Sequence, residues 1–113
     1  MRLPGHQSPA LTPGVVTFED HVQRALDSLP GELADRLENV AVVVEDENPE
    51  EPDLFGLWQA DPYMPTKISI YRRPLEAAFA GDELERQIRI TVLHELGHEF
   101  GIDEDRLTEL GYD

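Results

Sequence analysis

The run His94-Glu95-Leu96-Gly97-His98-Glu99-Phe100-Gly101 constrains this chain more than any other segment. An α-helix advances about 100° per residue, so His94 and His98 lie about 40° apart on one face, one turn above the other. Two neutral ring nitrogens so placed converge on a single tetrahedral ion, zinc, at about 2.1 Å. Glu95, beside the first imidazole, is set to take a proton from water held there without being a ligand itself. This is the H-E-x-x-H arrangement of zinc hydrolases. The alternative, an amphipathic helix whose histidines line a solvated face, leaves Glu95 and Gly101 unexplained.

The flanking residues predict the helix that the motif needs. Leu84, Ile88, Val92, Leu93, Leu96 and Phe100 recur at helical intervals. Asp82 and Glu85 have the spacing of a capping box at its start. Gly101 is able to adopt φ > 0 and stop the helix. The chain is then expected to turn back, with Ile102 plugging the core and Asp103, Glu104 and Asp105 as candidates for a third ligand. Leu107 and Leu110 suggest a short closing helix.

Composition narrows the kind of metal site. The chain has 113 residues and no cysteine, which excludes disulfides and thiolate zinc sites. A metal held by histidine, carboxylate and water points to an open catalytic site rather than a closed structural one. The formal net charge of -15 argues against nucleic acid and anionic membranes as partners. No segment approaches the roughly 20 apolar residues of a membrane span, and Met1 to Gly14 lacks the apolar stretch of a signal peptide. The expectation is a cytoplasmic protein.

Residues 1–16, with Pro4, Pro9 and Pro13, are expected to form a flexible arm, and 17–113 a single domain. His6 in the arm and His21 on the first helix are not read as ligands. Thr17 is a plausible cap for a helix carrying Phe18, Val22, Ala25, Leu26 and Leu29. Pro30 and Gly31 punctuate it, and Glu32 to Glu38 reads as a second short helix. Val40 to Val44, apolar throughout, predicts a strand covered on both faces. After an acidic loop, Phe55 to Trp58 predicts a short strand, closed by turns at Asp61-Pro62 and Met64-Pro65. Lys67 to Tyr71 alternates apolar with polar, as at a sheet edge where an extended peptide pairs. Pro74 to Ala80 begins another helix. The order predicts an α+β fold, a small mixed sheet packed on helices.

From Asp53 through Asp113, the segments L-F-G-L-W-Q, I-S-I-Y-R-R-P-L-E and H-E-L-G-H-E-F-G-I-D-E-D-R-L resemble the small bacterial zincin-like family of zinc metallopeptidases, minimal domains with a metzincin-like fold. The resemblance implies that His94 and His98 bind Zn2+, that Glu95 is the general base and that Gly101 provides the turn. It favours Glu104 as third ligand, at a position where the metzincin pattern has His or Asp; Asp103 and Asp105 compete with it. The implied activity is cleavage of a peptide or protein substrate. Two features depart from the pattern. Met1 and Met64 both precede the helix, so no methionine turn follows it, and the sequence ends nine residues after Glu104. Tyr112 reads as a packing aromatic. These departures predict a restricted substrate range, or alternatively a zinc-binding interaction module with little hydrolytic activity.

Overall fold

The structure, a computed structural model, describes residues 16–29, 31–102 and 104–109. All of the expected arm except Val16, together with Asp103, Leu110 and Tyr112, lies outside the described residues. The architecture is α+β, a three-stranded mixed sheet with helices packed on it.

Helix α1, Phe18–Asp27, begins in a capping box. The Thr17 hydroxyl accepts from the Asp20 N–H at 3.1 Å, and the Asp20 carboxylate accepts from the Thr17 N–H at 3.0 Å. Phe18, Val22 and Ala25 form its buried face. Instead of one helix from Glu32 to Glu38, the chain makes a single turn, α2 (Gly31–Ala34), tightened into a 3-10 turn over Asp35–Leu37. So short a segment, anchored by buried Leu33 and partly buried Leu37, makes too few backbone bonds to propagate.

The strands are β1 (Val40–Glu45), β2 (Gly56–Asp61) and β3 (Met64–Tyr71), in the order β1-β3-β2. β1 runs parallel to β3 and β2 antiparallel to it. Two expectations are corrected here. The Lys67–Tyr71 segment is central, not an edge, with Ile68, Ser69, Ile70 and Tyr71 all buried. Val40–Val44 lies at an edge and is only partly covered, with Ala41 exposed. Alternation suggested a half-exposed β3, but Ser69 is fully buried and Lys67 extends to Glu45 at 3.1 Å, a polar tip on an apolar stem. A tight hairpin joins β2 to β3, its Asp61 carboxylate accepting from the Tyr63 N–H at 2.8 Å. Met64 and Pro65 open β3 rather than forming a turn. Pro65 is tolerated beside the register irregularity between Gln59 and Asp61.

Helix α3, Arg72–Ala78, leads into α4, Gly81–Phe100, which carries the motif. The expected capping box at Asp82 does not form: α4 is entered from Ala80 through Gly81 at φ 60, which places Asp82 inside the first turn. There Asp82 and Glu83 oppose the positive end of the helix dipole. Ile88, Val92, Leu93 and Leu96 meet Ile68, Ile70 and Leu75 in the core. α4 ends at Gly101, φ 70, where the Ile102 N–H reaches the Gly97 carbonyl at 2.8 Å. Ile102 packs against the core, as expected, and a short helix α5 follows over Glu104–Glu109. No described helix is long and apolar enough to cross a membrane.

Candidate metal centre

The last two turns of α4 fix the site. His94 and His98 are both exposed, with ring centroids 5.1 Å apart and planes at 85°. The sequence expectation that the two imidazoles share one face holds. Glu95 points elsewhere: it is only 8 % exposed and packs against the start of β2. That burial pushes its carboxyl above the usual glutamate range, while charge on His94 and His98 would pull it back.

Gly56 makes the burial of Glu95 sterically feasible. A Cβ there would meet Thr91 Cγ2 at 2.8 Å, Glu95 Cγ at 3.1 Å and Glu95 Oε2 at 3.3 Å. Thr91 is itself held, its hydroxyl donating to the Gln87 carbonyl at 2.8 Å. Two residues along β2, Trp58 stacks on His98, with centroids 5.8 Å apart and planes at 17°. Its indole N–H donates to the Glu99 carboxylate at 3.1 Å. A pocket of about 380 Å³ adjoins the motif, and its lining includes Leu54, Phe55 and Ile90 beside His94 and Glu95.

The two histidines fit a divalent ion. Two solvent-facing imidazoles on one helical face are a two-point chelate of the kind zinc accepts. Among the described residues, no group of three His, Cys, Asp or Glu side chains comes together to hold a metal. The Glu104 side chain and all of Asp103 lie outside that description, and Asp105 is exposed on α5. His21, on α1, stands instead beside Glu85 at 3.5 Å, and His6 lies outside the described residues.

Sequence reasoning missed Gly56, Trp58 and Glu99. The segment Phe55 to Trp58 was legible as a strand, but its proximity to the motif depends on packing between β2 and α4, which no local spacing encodes.

Comparison with curated proteins finds no match. The sequence profile of the zincin-like metallopeptidases matches residues 37–112. That span holds the whole sheet, α4 and the paired histidines with their buried glutamate, and the chain belongs to the zincin-like metallopeptidase family.

Proposed function

We propose that this protein is a zinc-dependent peptidase in which His94, His98 and Glu104 hold the ion and Glu95 is the general base. The observation that carries this reading is the contrast between neighbours on α4: two exposed imidazoles on one face, and between them in sequence a glutamate buried against Gly56. A surface helix with incidental histidines has no reason to bury a carboxyl at that position, because desolvating it is costly.

A bound zinc ion supplies Lewis acidity toward water and carbonyl oxygen. Everything else falls to the chain. Glu95, with its carboxyl raised by burial, takes the proton from a water as the oxygen bonds to the peptide carbonyl carbon. It then returns that proton to the departing nitrogen as the C–N bond breaks. Of the two edge strands, β2 is the one that packs on the motif helix, so it and not β3, which is paired on both sides, is the edge for an extended substrate. A peptide adding beside β2 would gain backbone hydrogen bonds and lie next to the motif helix. The adjoining pocket, with Leu54, Phe55 and Ile90 in its lining, suits an apolar portion of a substrate side chain.

Metal analysis of unchelated protein, followed by digestion of a peptide library with Glu95→Gln as control, tests the proposal. One zinc per chain and cleavage lost in the variant support it. Cleavage that persists at the same rate in zinc-loaded Glu95→Gln protein removes Glu95 from the mechanism. Zinc binding without any cleavage overturns the peptidase reading in favour of an interaction module.

A further inference from the structure

We propose that Trp58 is a positioning residue for His98, tethered by Glu99, and that it couples strand β2 to the metal site. This rests on the reading of His98 as a zinc ligand. Strand and helix here have repeats that nearly match. Two residues along a strand advance about 6.8 Å, and four residues along a helix advance about 6 Å. Gly56 meets Glu95, and two residues later Trp58 meets Glu99, one helical turn on. The same pairing brings the indole face onto the His98 ring at 17°, close to parallel.

Each contact constrains a different freedom. The Nε1–H bond to Glu99 at 3.1 Å fixes the rotation of the indole, and the fixed indole covers one face of an imidazole that is otherwise exposed. An exposed histidine samples several rotamers, and only those aimed at the ion bind it. Restricting the ring before metal entry removes part of the ordering cost, which is the role of outer partners around metal ligands. Trp58 also belongs to the edge strand β2, so a peptide added beside β2 lies against the residue that holds His98.

Trp58 is the sole tryptophan of the chain, so its emission is a direct readout. Zinc titration of the metal-free protein is expected to change that emission and saturate at one equivalent, with the change lost in His98→Ala. Calorimetry should show zinc affinity falling about 10–100-fold in Trp58→Ala, the range for loss of an outer partner. Trp58→Phe, which keeps a stacking ring, should recover most of it. Glu99→Ala, which leaves the indole untethered, should fall between. Trp58 is half-buried and packs on the core, so thermal melts of each variant separate loss of fold from loss of affinity. Trp58→Phe and Glu99→Ala carry the test should Trp58→Ala not fold. Unchanged affinity in folded Trp58→Ala and Glu99→Ala, with His98→Ala defective, would overturn the clamp and leave His98 a ligand. Unchanged affinity in His98→Ala overturns the ligand reading itself.

Discussion

The Glu95 side chain lies against the backbone of Gly56 with no room for a methyl group between them: a Cβ would stand 3.1 Å from Glu95 Cγ and 2.8 Å from Thr91 Cγ2. Thr91 is pinned by its bond to the Gln87 carbonyl, so in Gly56→Ala the side chain that gives way is Glu95. The expected result is a loss of about 1–3 kcal/mol of stability from overpacking, with hydrolysis reduced and zinc affinity kept. Thr91→Ser removes the closest atom, and the double variant should regain part of both losses. Denaturant unfolding and peptide turnover check the pair. Full activity in Gly56→Ala would show that the role proposed for Glu95 does not need this seat.

Glu95→Gln separates the cost of burying this carboxyl from the role proposed for it. The amide keeps the shape but has no charge to desolvate, so metal-free Glu95→Gln should melt higher than the native sequence at neutral pH. The sign follows from the raised carboxyl. Stabilisation from the protonated form is full below the unfolded value and is lost as pH rises through the folded one. The gain should therefore shrink as pH falls and Glu95 takes up its proton. A variant that melts lower at neutral pH would mean that the carboxylate makes a favourable contact there. This gain in stability should accompany complete loss of hydrolysis in the zinc-loaded variant.

What was legible in the sequence follows the range of the interactions. α4, its paired histidines and the stop at Gly101 are set by residues within one or two turns of each other, and they stand as expected. The Thr17 cap is equally local. The sheet order is not. Alternation at Lys67 and Ser69 reads as an edge, yet the chain passes β3 between β1 and β2, burying Ser69 and leaving Lys67 to reach Glu45. The contacts of Gly56 with Glu95 and of Trp58 with His98 span about 40 positions of sequence and arise only when β2 docks on α4.

The capping box of α1 gives an acid-sensitive element outside the motif helix. The backbone N–H of Thr17, and then its hydroxyl, hold the Asp20 carboxyl below its ordinary value of 3.8. Stabilisation from a lowered carboxyl is present above the unfolded value and lost as pH falls through the folded one. Asp20→Asn should therefore flatten the loss of stability on acidification below about pH 4. Thr17→Ala should cost about 1 kcal/mol at neutral pH. Denaturation curves at several pH values check both. An unchanged acid limb in Asp20→Asn would assign that limb to other carboxyls.

Ligation by Glu104, as proposed, would couple metal binding to helix α5. Gly101 ends α4 in a left-handed conformation, and α5 begins at Glu104, the residue expected to return toward His94 and His98. α5 is only six residues long, too short to be stable alone. A ligand on its first residue would tie it to α4 through the ion. Zinc should therefore raise the melting temperature and slow amide exchange across residues 104–109, and a chelator should reverse both. Glu104→Ala should abolish that protection and weaken zinc binding by at least the 10–100-fold, roughly, that loss of an outer partner costs. Asp105→Ala, at an exposed position of the same helix, should change neither, and Asp103→Ala serves as the second comparison. A loss confined to Asp103→Ala or Asp105→Ala would move the ligand by one residue. Equal affinity in all three variants would leave the two histidines as the only protein donors on this part of the chain.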